Sequence, residues 1–523
     1  MSNSKRIVSV ERYYSEILSK EIEYVVSKPQ KSSKELGLIV NLHSCHREPV
    51  TFEKCIDVGK LEMERWSEVE GIEDYVIIHP TGFGNTLFSG TGELDVFNCI
   101  FDIINKCSID NNKIFLVGFS MGGAGALNIA SKNPSFFCGV CSISGYSDYR
   151  LWQGPSRKKL EQYEIPQIER MEASFNIGNL GYTNILIAHG EWDLGLGGGV
   201  DYVFHKELTK KLNNEDISHK NIVFEKISHA EFPKERREQV IKWMQEQTKK
   251  SLIDNFKFII SDMRHSLFFG IEIKSLIDYS KKGVISGNIR DNSIFIQTDN
   301  IGSLNVPEKA FKKSFIDGVD SFSLIDNSEK KNMSGPISDI IYTKVFFCYD
   351  DTTSDEFSRS FQKEIATAEL KYYNKFNAGI SCGAFRTGIS FFENQLLPYS
   401  TDLNKIKKAT LVCYGEPGKN DVVDQLLQKA NLKITENAII LPFEKVIEGE
   451  VGIRFIYRGE NDNYFVINSG TSSKVIAKSF GIWYGLLPDF IIYNKKEVIY
   501  YGYFDKDWKF TKKNFYEVSK CIY

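Results

Sequence analysis

The sequence predicts an α/β fold: a mostly parallel sheet with helices on both faces, then a small β-rich domain, then a C-terminal mixed α/β region. Three observations carry this. From Leu36 to about Lys250, short continuous apolar runs alternate with longer helical stretches, the pattern of βα units around a parallel sheet. Between about 250 and 330 the texture changes to apolar and polar alternation broken by turns, as in antiparallel strands. Beyond about 335 helical and strand patterns mix again. With 523 residues and 42% hydrophobic content, two or three buried cores are affordable, and the predicted divisions are 1–250, 251–330 and 331–523.

In the first region the strand candidates are Gly37 to Leu42, Tyr75 to Ile78, Ile114 to Val117, Gly139 to Ile143 and Ile185 to Ala188. Each is short and continuously apolar, as strands covered on both faces must be. Gly92 to Cys107, Ala124 to Ser131, Val203 to Leu212 and Lys234 to Lys249 carry helical patterns between and after them. In the second region Phe256 to Ile260 and Ser293 to Gln297 alternate with period two, which indicates a small sandwich. The third region offers an apolar run from Ile341 to Cys348, a long helix from Ser354 to Phe376 and a strand from Thr410 to Tyr414. That strand turns through Gly415-Glu416-Pro417-Gly418, and further strands follow at Phe490 to Tyr493 and Val498 to Tyr501. No internal repeat or low-complexity segment is evident.

Charge excludes some functions. The 65 Lys and Arg nearly balance 68 Asp and Glu, for a net charge of −3, so no global field is available to hold nucleic acid or an anionic membrane. No run approaches the roughly 18 uncharged apolar residues of a membrane span, and the first residues do not read as an export signal. Ten cysteines are scattered without the density of a disulfide scaffold, so a cytoplasmic setting is expected. Cys138-Gly139-Val140-Cys141 enters an apolar strand and, with no second pair of thiols, reads as core rather than as a zinc or redox motif. No cofactor or metal is expected.

The chemistry is concentrated in Asn112 to Leu127. A strand candidate runs into Gly118-Phe119-Ser120-Met121-Gly122, and a helix follows. A Gly-x-Ser-x-Gly turn between strand and helix forces the serine into a strained backbone conformation and lifts its hydroxyl to the sheet edge, while the flanking glycines leave the room side chains would fill. Ser120 is the candidate nucleophile, and the amide of Met121 at the helix start is a candidate oxyanion donor. A serine hydroxyl needs a base, and the base needs an orienting carboxylate. Asp193 stands just past the strand Ile185 to Ala188 in His189-Gly190-Glu191-Trp192-Asp193, and His229 follows the strand candidate Ile222 to Ile227. The chain order Ser120, Asp193, His229 is that of an α/β-hydrolase domain.

Asp201, after the glycine-rich stretch Gly195 to Gly199, and Glu191 are the rival acids. His205 and His219 are the rival bases, read as solvent-facing because one falls inside a helix pattern and the other in a charged turn. The second oxyanion donor is assigned to the backbone N–H of Ser44 or Cys45, in the loop His43-Ser44-Cys45-His46-Arg47-Glu48-Pro49 after the first strand candidate. His43, Cys45 and His46 lie too close together on one loop to read as a metal site.

These residues, with Glu93 to Phe97, Pro134 to Phe137 and Ser144-Gly145, resemble the prolyl oligopeptidase-like and polyhydroxybutyrate depolymerase-like α/β-hydrolases across about residues 36–250. The segment His189 to Asp193 is similar to the acid-bearing loop of that group, and the later chain, including Leu487 to Ile492, resembles more loosely the extra region of its large bacterial members. The early His-Gly of the group is His43-Ser44 here, and a β-propeller gate is not evident. The resemblance implies a serine hydrolase acting on a small ester or peptide through an acyl-enzyme. An acyltransferase, thioesterase or cyclase would use the same three residues, and a binding or scaffold protein with a vestigial hydrolase domain is the reading from another class. Oligomeric state is not written in the sequence.

Overall fold

The computed structural model describes residues 6–519 apart from 33, 47–49, 149–159, 197–198, 230–232, 331–333, 353, 355, 377–394, 402, 404–405, 461–462 and 483. Its first sheet has eight strands: β1 (Arg6–Ser15), β2 (Lys20–Pro29), β3 (Leu36–Leu42), β4 (Tyr75–His79), β5 (Ile109–Phe119), β6 (Gly139–Ile143), β7 (Asn184–Gly190) and β8 (Lys220–Phe224). They lie in the order β1-β2-β4-β3-β5-β6-β7-β8. The β1–β2 and β2–β4 pairs are antiparallel, and every later pair is parallel. Strands β3, β4, β5 and β7 are those the sequence predicts, lengthened at their ends, and β6 keeps its predicted bounds, whereas the candidate Ile222 to Ile227 is displaced toward the N-terminus and ends at Phe224. The β1–β2 hairpin was not anticipated, because β1 is an edge strand whose apolar residues share the chain with charged ones and stay partly exposed.

Alternate side chains on the strands face two separate cores, which is why the runs look continuously apolar. Leu38, Val40, Ile114 and Leu116 pack against helices α2 (Thr91–Lys106) and α3 (Met121–Lys132) on one face. Ile39, Ile77, Phe115 and Val117 pack on the other against α1 (Phe52–Ser67) and the helix Lys234–Gln245, which supply Met63, Trp66, Val240 and Trp243. Thr51 caps α1 by accepting from the Lys54 amide at 3.2 Å. Replacing a buried aromatic such as Trp66 by alanine would cost about 3–5 kcal/mol. Cys138 and Cys141 are both buried and free.

Residues 255–324 form a five-stranded and a four-stranded sheet around one core containing Phe258, Phe268, Ile285 and Ile296. A second eight-stranded sheet follows in the order Leu396–Pro398, Lys344–Tyr349, Ala409–Tyr414, Tyr464–Gly470, Val451–Arg458, Phe490–Asn494, Val498–Gly502, Phe515–Glu517. Its first three pairings are parallel and the rest antiparallel. The apolar run Ile341 to Cys348 is divided rather than continuous. Ile337–Tyr342 forms a short 3₁₀ helix and Lys344–Tyr349 a strand, since an unbroken apolar run does not distinguish the two. The late aromatics Tyr484, Phe490, Tyr493 and Trp508 are core residues, each under 2% exposed, whereas Trp483 lies outside the described residues.

The segment after β6 links the regions. Within the helix Ile165–Met171, Gln167 donates to the Tyr503 hydroxyl at 2.9 Å and Arg170 to the Ser261 carbonyl at 2.9 Å. Among the described residues no helix is long and apolar enough to cross a membrane.

Candidate active site

The site is built at the C-terminal ends of β3, β5, β7 and β8. Ser120 stands between β5 and α3 with φ 56° and ψ −115°, a conformation costly for a residue with a Cβ. Close packing requires the glycines around it. A Cβ on Gly118 would lie 2.0 Å from the Gly122 carbonyl oxygen, and one on Gly122 would lie 2.1 Å from that of Leu42. The turn is held by the Ser120 amide donating to the Ile143 carbonyl at 2.8 Å. Although Ser120 occupies the N-cap position of α3, its hydroxyl does not cap the helix. It is left for another partner.

That partner is His229, whose Nε2 is 3.0 Å from Ser120 Oγ. The other ring nitrogen, Nδ1, is 2.5 Å from Asp193 Oδ2, and the ring stacks on Phe119 with centroids 4.9 Å apart. Asp193 follows β7 and is 1% exposed, whereas the His229 side chain keeps 19% of its surface open. Burial acts to raise the Asp193 pKa, but hydrogen bonds from His189 and His229 outweigh it and bring the carboxyl down to about 2. It is therefore ionised at neutral pH. A further bond comes from the Gly195 amide to Oδ1 at 3.2 Å.

The rivals are placed elsewhere. Asp201 caps the helix Tyr202–Asn214 by accepting from the Val203 amide at 2.9 Å, and exposed Glu191 accepts from the Lys226 amide at 3.3 Å. His205 departs from the expectation of a solvent-facing residue: it is 3% exposed, 2.8 Å from Asn221 Oδ1, on the face its helix turns to the sheet. His219 is half-buried beside the Ile217 carbonyl. Ala230, Glu231 and Phe232, just past His229, lie outside the described residues.

One neighbour escaped the sequence reading. His189, 1% exposed on β7, sets Nε2 at 2.7 Å from the Val200 carbonyl and 3.4 Å from Asp193 Oδ2. Its spacing of four residues before Asp193 was visible, but nothing local says that both side chains turn to one point.

The loop after β3 is fixed by buried polar contacts. His43 places Nδ1 2.7 Å from the Ser44 carbonyl and Nε2 2.8 Å from that of Thr81, while Asn85 bonds both the amide and the carbonyl of His46. Burial holds the His43 pKa down, so the ring is neutral and donates to one of the two carbonyls. Leu42 and His43 run directly over Gly122, bringing the half-buried Ser44 and Cys45 to the side of the turn that ends at Met121. A cavity of about 170 Å³ opens beside them, lined by Asn41, Trp66, Phe119 and Ile143 among others. Among the described residues no group of three or more His, Cys, Asp or Glu is arranged to hold a metal.

Residues 91–251 match the prolyl oligopeptidase family, peptidase S9. No curated protein matches the chain. Among solved structures it is similar to an S-formylglutathione hydrolase from Staphylococcus aureus, at 15% identity over 46% of this chain and 97% of the other, with a TM-score of 0.34. The S-formylglutathione hydrolase from Agrobacterium tumefaciens gives 16% identity, 47% and 97% coverage and a TM-score of 0.36. An acylaminoacyl peptidase from Pyrococcus horikoshii gives 15%, with 47% of this chain and 43% of that one covered, and a TM-score of 0.36. The stretch that matches the prolyl oligopeptidase family model, residues 91–251, is the one that holds Ser120, Asp193 and His229.

Proposed function

We propose that the chain cleaves an ester or peptide bond through an acyl-enzyme on Ser120, with His229 as general base and Asp193 as the carboxylate that orients it. The observation that carries this reading is the unbroken chain of short contacts from Ser120 Oγ through His229 to Asp193, built on a strained turn. His229 Nε2 takes the hydroxyl proton as Oγ attacks the carbonyl carbon, and the same nitrogen returns it to the leaving group. Asp193, ionised and bonded to Nδ1, favours the imidazolium formed between those steps and fixes the tautomer. Water, activated by the same ring, then releases the acid.

The oxyanion formed on attack is assigned to the backbone N–H groups of Met121 and of Ser44 or Cys45. His43 supports the second assignment. A peptide unit is planar, so the N–H of Cys45 points opposite to the Ser44 carbonyl that lies against the His43 ring. Anchoring that carbonyl orients the candidate donor before substrate arrives, the condition under which such donors are most effective.

The reading is tested with short-chain p-nitrophenyl esters beside chromogenic peptide amides, using wild type and Ser120→Ala. Serine-dependent cleavage of the esters alone assigns an esterase, and cleavage of the amides assigns a peptidase. Silence on both, together with no labelling by a fluorophosphonate probe, would contradict the proposal and favour a vestigial site.

A further inference from the structure

A second cavity, of about 710 Å³, shares no lining residue with the Ser120 site. Three parts of the chain wall it: the turn between β1 and β2 with Ile17 and Ser19, the stretch from Met263 to Lys274, and the second large sheet with Tyr342, Lys344, Lys408 and Tyr464. Its volume is that of a small-molecule site, and such sites concentrate where separately packed regions meet.

The charges of the cavity divide into a neutralised floor and a positive rim. On the floor Arg264 lies 2.5 Å from Asp339 and against Asp262, with its guanidinium 3.6 Å over the Tyr342 ring, and Arg170 approaches both carboxylates at 3.7–3.8 Å. Two arginines therefore meet two aspartates there. On the rim Glu272 answers Lys274 at 3.5 Å. The Nζ of Lys344 donates to the neutral Ser19 hydroxyl at 2.8 Å. Lys407 and Lys408 are exposed and meet no carboxylate among the described residues. Among the described residues, three rim lysines thus stand against one remaining rim carboxylate, Glu16. This is not the leakage of a basic protein, because the chain as a whole is at −3. Lys408 is also held at φ 51°, a conformation that costs a non-glycine residue on the order of 1 kcal/mol. Beside this rim the wall is less polar, with Ile17, Ile273 and the buried rings of Tyr342 and Tyr464.

We propose that this cleft binds a small phosphate-bearing molecule, its phosphates against Lys344, Lys407 and Lys408 and its less polar part against Tyr342, Tyr464 and Ile273. Lysines act as mobile point charges toward phosphate oxygens and, unlike the floor arginine, are not committed to carboxylates. The low-polarity wall gives the remainder of such a ligand a surface to cover.

The test is calorimetric titration of the full chain with ATP and with pyrophosphate at moderate ionic strength. We expect saturable binding at one site per chain. Lys407→Glu/Lys408→Glu should weaken it at least tenfold, while Lys309→Glu/Lys312→Glu, on an exposed stretch elsewhere, should leave it unchanged. Fluorophosphonate labelling of Ser120 in both variants reports that they are folded. A response to both probes assigns recognition to the phosphates, and a response to ATP alone adds the organic part. Absence of saturable binding by either probe, or binding that the rim variant retains in full, overturns the proposal.

Discussion

The two large sheets place loops at the C-terminal ends of parallel strands, yet the loops are equipped for different work. After β5, Ser120 is strained and its hydroxyl is spared from capping α3. After Ala409–Tyr414, the turn Gly415 to Gly418 is followed by Asn420, which caps its helix in the ordinary way by accepting from the Val423 amide at 2.9 Å. Glu416 there is bound to Lys419 at 2.7 Å and to Ser473. The buried carboxylates differ in the same sense. Asp193 is answered by the imidazoles of His229 and His189, whereas Glu369 is answered at 2.9 Å by the guanidinium of Arg454. Strain plus a titratable partner prepares a site for reaction. Relaxed caps plus a permanent ion pair hold a structure together.

Substitutions at four positions and one pH measurement probe that contrast. Ser120→Ala should lower turnover by about 10³-fold or more, since the oxyanion donors and binding alone remain; steady-state kinetics on any cleaved ester measures this. Arg454→Met should leave the buried Glu369 charge unanswered at a cost of about 3–5 kcal/mol in denaturant unfolding, while the folded fraction still takes a fluorophosphonate label. Next in size is His189. Its bond to the ionised Asp193 is charge-assisted, so His189→Phe should lower kcat about tenfold with KM little changed, and His189→Gln, which restores an N–H donor, should recover part of the loss. Asn420→Ala should cost about 1 kcal/mol through the lost cap and nothing in turnover.

The pH measurement concerns Asp193. Its carboxyl is lowered to about 2 from an ordinary 3.8. A group lowered on folding stabilises the folded chain above its unfolded pKa and loses that contribution as pH falls through the folded value. Thermal unfolding of Asp193→Asn should therefore depend less on pH than wild type between about 4 and 2. Identical slopes would mean that the carboxylate is not held as described.

The elbow was legible because strand, glycine, serine, glycine and helix are all local demands of one turn. The positions of Asp193 and His229 just past strands were legible, whereas the turn of Asp201 toward the amide of Val203 is a tertiary fact that the sequence did not show. What the sequence hid was long-range. The β1–β2 hairpin gains its partner β4 some fifty residues on. Buried His205 depends on which face of its helix meets β8 through Asn221, and His189 depends on the strand end turning its ring toward Asp193. The cleft beneath Lys407 and Lys408 draws walls from positions as distant as Ile17 and Tyr464, a juxtaposition that no spacing announces.

We propose that Ser120 is a nucleophile activated by His229. It is tested most directly by locating a fluorophosphonate adduct by peptide mass spectrometry in wild type, Ser120→Ala and His229→Ala. The adduct is expected on the Ser120 peptide in wild type, with none in Ser120→Ala and strongly slowed labelling in His229→Ala. An adduct on another serine, or undiminished labelling of either variant, would contradict it.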